Sequence, residues 1–203
     1  MKVLYFGGAF NPPTRAHIEL ADLVRRALGY DKVLFMPTKY EYIRFEEGKD
    51  YAYPDDVRLA MLQKIAKSRD WMIVSDHELR QEVQPRTYHT LKQLSSEYEL
   101  KLLIGTDWLK KLETGWTFIP EICHEFGIVA MQRDGDDAET IIQASPFLKE
   151  LEPYFTVVPL PDLFRNVSST MVRTAVSRIM EARRYLKDVV MPEIVDELVP
   201  EES

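Results

Sequence analysis

The stretch Lys2–His17, KVLYFGGAFNPPTRAH, joins an apolar β-rich run to a helical pattern through two glycines and two prolines. The run Lys2–Phe6 reads as a buried strand. Leu20, Ala21, Val24, Ala27 and Leu28 then recur at helical spacing, and Gly29 is placed to end that helix. A strand that turns through glycine into a helix is the opening unit of a parallel α/β sheet. Further strands are expected at Lys32–Met36, Trp71–Ser75, Lys101–Ile104, Phe126–Met131 and Phe155–Val158. Helices are expected at Val57–Lys67, Thr87–Tyr98, Ala138–Leu148 and Ser169–Arg184, with a terminal helix Leu186–Leu198 holding Pro192 near its first turn. The fold class read from this alternation is α/β, a Rossmann-like open parallel sheet with helices on both faces. One domain is expected over residues 1–203, with 168–203 as its C-terminal helical part.

Composition narrows the function. With a net charge of −7 the chain lacks the basic face of a nucleic-acid binder, so no nucleic-acid partner is expected, but a small anion held by local donors is allowed. The single cysteine, Cys123, cannot form an internal disulfide. No run is apolar for the roughly 20 residues that cross a membrane, and no signal peptide opens the chain, so it reads as soluble and cytoplasmic without a membrane partner. His77, His89 and His124 show no ligand spacing with one another or with Cys123, and no protein-held metal is expected. The long polar and aromatic stretch Tyr40–Tyr53 is a candidate lid or a plain surface loop, and Arg133–Asp137 is a second loop.

In an open parallel sheet, ligands lie beyond the carboxyl ends of the strands, where helix N-termini favour anions. Gly7 and Gly8 there allow close approach to the main chain. Thr14 and His17, three apart, point one way at the start of a helix; they suit phosphate, and equally a helix cap with a packed histidine. The pattern is neither the dinucleotide glycine fingerprint nor the P-loop, which argues against hydride transfer. Near the other end NVSSTMVR, Asn166–Arg173, opens a helix with three hydroxyls followed by a guanidinium fork.

GGAFNPPTRAH resembles the Gly-x-Phe-[Asp/Asn]-Pro-x-[His/Thr]-x-Gly-His signature of the nucleotidyltransferase superfamily, and NVSSTMVR resembles its Ile-Ser-Ser-Thr-x-x-Arg motif. Thr14 stands where many members have His, Ala16 where they have Gly, and Val167 where they have Ile. PRTYHTLKQL (85–94), LLIGTDWL (102–109), Trp116 in ETGWTF and MQRDG (131–135) are similar to segments of the nicotinate-nucleotide adenylyltransferases. The resemblance implies catalytic roles for His17, Thr14 and Arg173 at the phosphates of ATP. It implies ATP contacts from Gly7, Gly8, Phe10, His17, Gly105, Asp107, Ser168, Ser169, Thr170 and Arg173. It implies acceptor contacts from Thr87 and Tyr88 through the main chain, from Trp116 by stacking, and from Arg133. The Pro-Pro-His-Lys-like loop of that branch is replaced here by MPTKYEYIRFEEGKD, where Lys39, or Arg44 or Lys49 in its place, is the candidate cation for the acceptor phosphate.

The implied reaction is AMP transfer from ATP to nicotinate mononucleotide with magnesium, giving deamido-NAD and pyrophosphate. Transfer to nicotinamide mononucleotide or phosphopantetheine stays open, as do a non-catalytic nucleotide-binding protein and a homo-oligomer.

Overall fold

The computed structural model describes residues 1–48, 51–132, 135–161, 167–176 and 185–199. Lys49, Arg133, Asn166 and the later part of the expected helix Ser169–Arg184 lie outside them. The strands are β1 (Lys2–Gly8), β2 (Lys32–Pro37), β3 (Met72–Val74), β4 (Glu99–Gly105), β5 (Ile128–Gln132) and β6 (Phe155–Pro159). All pair in parallel in the order β3-β2-β1-β4-β5-β6. The apolar runs are continuous because both faces are covered, so successive residues of one strand enter different cores. Leu4, Phe6, Val33, Phe35 and Leu103 join one core. Val3, Tyr5, Leu34, Met36 and Leu102 join the other.

On the first face lie α1 (Arg15–Leu28), α2 (Asp55–Ala66) and the C-terminal segment. α1 buries Ile18, Leu20 and Val24, worth about 1.5–3 kcal/mol for each large apolar side chain. It ends at Gly29, whose φ of 68° lets its N–H reach the Arg25 and Arg26 carbonyls; a side chain there would be strained. On the second face lie α3 (Thr87–Leu94), the short helices α4 (Thr106–Leu109), α5 (Leu112–Gly115) and α6 (Ile119–Glu125), then α7 (Ala138–Ala144) and α8 (Pro146–Glu150).

Several expected boundaries are corrected. The helix expected at Thr87–Tyr98 stops at Leu94. Ala138–Leu148 is two helices, because Ser145 caps a new one that starts at Pro146. Leu186–Leu198 is likewise broken: residues 185–189 are helical, Pro192–Ile194 forms a 3₁₀ turn, and a last helix covers Val195–Leu198. Tyr40–Tyr53 is not a plain loop, since Tyr42–Glu46 winds into a π-helical turn with Ile43 fully buried.

The order of the strands places a switch point between β1 and β4, from which the connections run outward in opposite directions. Pairing of these strands extends only from Lys2↔Glu99 to Tyr5↔Leu102, leaving the ends Gly7–Gly8 and Gly105 apart. That opening is the crevice in which the site lies.

Candidate active site

A cavity of about 530 Å³ fills the crevice. Gly7, Gly8, Phe10 and His17 line it from the β1 side, Gly105 and Asp107 from the β4 side. Ser168, Ser169, Thr170 and Arg173 close it from α9 (Ser169–Val176) and the residue before it. The two phosphate-type stretches, about 150 residues apart in the chain, therefore share one cavity. They also touch: Ser169 Oγ donates to the Pro12 carbonyl at 2.8 Å, and Arg173 Nη1 donates to the Asn11 carbonyl at 2.7 Å. Arg173 Nη2 donates to Thr170 Oγ1 at 3.1 Å, and burial lowers the guanidinium pKa.

Thr14 is fully buried and does not line the cavity. It is the N-cap of α1, and its Oγ1 accepts the His17 N–H at 3.4 Å. The His17 ring answers in kind, for its Nδ1 accepts the Thr14 N–H at 3.0 Å and lies 2.7 Å from Thr14 Oγ1. An Nδ1 that accepts a backbone proton carries none of its own, so the neutral ring holds its proton on Nε2. Thr14 thus acts by orienting His17 instead of forming a wall. Phe10 packs edge-on to the His17 ring at 5.3 Å and to Phe6 at 5.5 Å. The Phe10 backbone has a φ of 43°, a conformation costing about 1–2 kcal/mol for a residue with a side chain, and this packing holds it there.

A second pocket, of about 100 Å³, adjoins the first; Gly7, Gly8, Tyr42, Glu47, Trp108 and Gly115 line both. Thr87 and Trp116 line it, together with Arg86. Thr87 is not the helix cap: Arg86 takes that position without a side-chain cap, and Thr87 is the first residue of α3. The Tyr88 side chain leaves the pocket, donating its hydroxyl to Glu125 at 2.7 Å and stacking on Phe118. Its backbone stays in the first turn of α3, where N–H groups lack intrahelical partners. Lys39 lines neither pocket; its Nζ donates to the Leu79 and Gln81 carbonyls at 3.0 and 2.8 Å.

Four supporting residues escaped the sequence reading. Arg58 on α2 is wholly buried and donates to the carbonyls of Ala9, Thr38 and Tyr53 at 2.6, 2.6 and 2.9 Å, and also to Asp55. It ties the segments that follow β1 and β2 to one helix. Glu78, 3% exposed, lines the smaller pocket and accepts from Tyr5 Oη at 2.6 Å, Thr90 Oγ1 at 2.8 Å and Gln84 Nε2 at 2.5 Å. Burial raises the Glu78 pKa against the opposing pull of these donors. Trp108 sits between the pockets, edge-on to Trp116 at 5.8 Å. Asn11 latches the far end of the Tyr40–Tyr53 stretch, donating to the Tyr51 carbonyl and accepting the Tyr53 N–H.

Comparison with known proteins bears on the family and the fold. The cytidylyltransferase-like family model matches residues 5–175. A probable nicotinate-nucleotide adenylyltransferase of Bacteroides fragilis is 30% identical over 196 residues, covering 95% of this chain and 90% of its own length. One from Maridesulfovibrio salexigens is 33% identical over 138 residues, covering 66% of this chain and 61% of its own length. A solved structure of the Plasmodium falciparum nicotinic acid mononucleotide adenylyltransferase, complexed with NaAD, superposes with a TM-score of 0.74 at 18% identity, covering 96% of this chain and 93% of that one. At that identity it speaks to the fold alone. The chain belongs to the cytidylyltransferase-like family of nucleotidyltransferases, alongside the nicotinate-nucleotide adenylyltransferases.

Proposed function

We propose that the protein transfers AMP from ATP to nicotinate mononucleotide, forming deamido-NAD and pyrophosphate. The observation that carries this reading is the cavity shared by residues 7–17 and 168–173, opening beside a second pocket at the switch point of the sheet. Two nucleotides side by side need that arrangement.

In the proposed reaction the triphosphate lies between the two stretches, with Ser168, Ser169, Thr170 and Arg173 at its outer phosphates and His17 Nε2 donating to an oxygen of the α-phosphate. An oxygen of the acceptor phosphate attacks the α-phosphorus as the bond to the β-phosphate oxygen breaks. Pyrophosphate departs with the bonding electrons. Charge spreads over the oxygens in the transition state, so donors already aimed at them lower the barrier without any covalent intermediate. In this reading Gly105 and Asp107, which line the larger cavity, take the ATP ribose, and the first turn of α3 with Trp116 takes the pyridine carboxylate and ring.

Magnesium enters with the triphosphate. Such ions keep most ligands as phosphate oxygens and water, needing one or two protein carboxylates at most. Asp107, Glu46 and Glu47 line the cavity as candidates. The resident chemistry it supplies is neutralisation of phosphate charge.

Pyrophosphate release, followed with ATP and a panel of acceptors, tests the reading. Nicotinate mononucleotide should exceed nicotinamide mononucleotide and phosphopantetheine clearly. A different preferred acceptor overturns the substrate assignment, and silence with all of them overturns the activity.

A further inference from the structure

The acceptor phosphate must reach the α-phosphorus to about 3–3.5 Å, so it has to lie where the two pockets meet. A doubly charged phosphate there is best held by a cation. Lys39 is occupied with the carbonyls of residues 79 and 81. Among the described cationic side chains that line a pocket, Arg173 belongs to the larger one with the triphosphate stretches, and Arg86 to the smaller one alone.

Lys111 is placed differently. It lines the larger cavity, and its Nζ lies over the Trp108 ring, 5.4 Å from the centroid, while Trp108 faces both pockets. Gly115, also common to both pockets, donates its N–H to the Lys111 carbonyl at 2.8 Å. The neighbouring Lys110 is used up in an ion pair with Asp136 at 2.6 Å, whereas Lys111 pairs with no carboxylate among the described residues. An aromatic ring holds an ammonium in position without neutralising it, so the full charge stays available to a ligand.

We infer that Lys111, steadied on Trp108, is the cation that binds the phosphate of the acceptor nucleotide at the junction of the two pockets. This rests on the activity proposed above and assigns to Lys111 the task that the sequence offered to Lys39, Arg44 or Lys49. A charge-assisted contact of this kind is worth about 10- to 100-fold in affinity.

The test is calorimetric titration of the wild type, Lys111→Met and Lys111→Arg with nicotinate mononucleotide, with nicotinate riboside, which lacks the phosphate, and with a non-hydrolysable ATP analogue. Lys111→Met should weaken the mononucleotide by about 10- to 100-fold while leaving the riboside and the ATP analogue unchanged, and Lys111→Arg should restore most of the loss. Equal weakening of mononucleotide and riboside, a loss confined to the ATP analogue, or no change in mononucleotide affinity each overturns the assignment. If the wild type binds the mononucleotide with this Lys111 dependence yet releases no pyrophosphate, the activity reading fails and the Lys111 assignment stands. If the wild type does not bind the mononucleotide, both fall.

Discussion

Arg58→Met removes a buried guanidinium that donates to three carbonyls, those of Ala9, Thr38 and Tyr53, and pairs with Asp55. A hydrogen bond to a charged group contributes about 1.5–3 kcal/mol, so three taken separately would sum to roughly 4–9 kcal/mol. Water entering the vacated space recovers part of that, and losing one partner of a buried ionic cluster costs about 3–5 kcal/mol in practice. For a chain of this size each kcal/mol moves Tm by about 2–4 °C, which gives a fall of roughly 6–20 °C. Arg58→Lys should fall between, because one ammonium cannot span carbonyls contributed by three separate segments. Thermal unfolding monitored by circular dichroism measures the shift. The two segments it ties, at Ala9 and Thr38, bracket the site, so the Michaelis constant for ATP should rise in Arg58→Lys below its own Tm. A Tm for Arg58→Met within about 2 °C of the parent would refute the reasoning, since it would mean the carbonyls find equal partners without the guanidinium.

Three further outcomes are expected. His17→Ala should lower turnover on the order of 10²–10³-fold; pyrophosphate release within a few-fold of the parent would remove His17 from the chemistry. Glu78 holds its proton to higher pH in the folded chain than in the unfolded one because burial disfavours its charge, so the stability it contributes is present below the ordinary carboxylate range and fades as pH rises through the raised value. Glu78→Gln cannot titrate, and the Tm of the parent relative to this variant should therefore decline as pH rises above the ordinary carboxylate range; parallel curves would contradict the shift. The Cys123 thiol, buried and pushed up to about 12, is about one part in 10⁴ thiolate at pH 8, so iodoacetamide should label unfolded but not native protein; rapid native labelling seen by mass spectrometry would exclude that burial.

The sheet was readable in the sequence because strands covered on both faces are short continuous apolar runs, and each expected strand lies where one was drawn, with ends shifted by a residue or two. Gly29 marked a helix end for the same reason it forms one, a left-handed turn that other residues resist. Helices α4 and α5, of four residues each, are too short to show a period and went unseen. The π-helical turn at Tyr42–Glu46 hid in a stretch whose charges suggested solvent, although only Ile43 needed to be buried. Both phosphate stretches were legible as donors at helix starts. Their meeting was expected from the family resemblance and not from any local pattern, because Arg173 to Asn11 and Ser169 to Pro12 are contacts across the whole chain. Arg58 and Glu78 were missed because burial of a charge depends on partners from distant segments, which leave no local pattern. Trp108 was passed over for Trp116 since both rings look alike until the pockets show which one divides them.

The shared phosphate cavity is tested most directly by a crystal structure with a non-hydrolysable ATP analogue. The triphosphate should span the cavity with its α-phosphate oxygens within about 3 Å of His17 Nε2 and its outer phosphates within hydrogen-bond reach of Arg173. An analogue bound with its phosphates away from both His17 and Arg173 would contradict the assignment of the site.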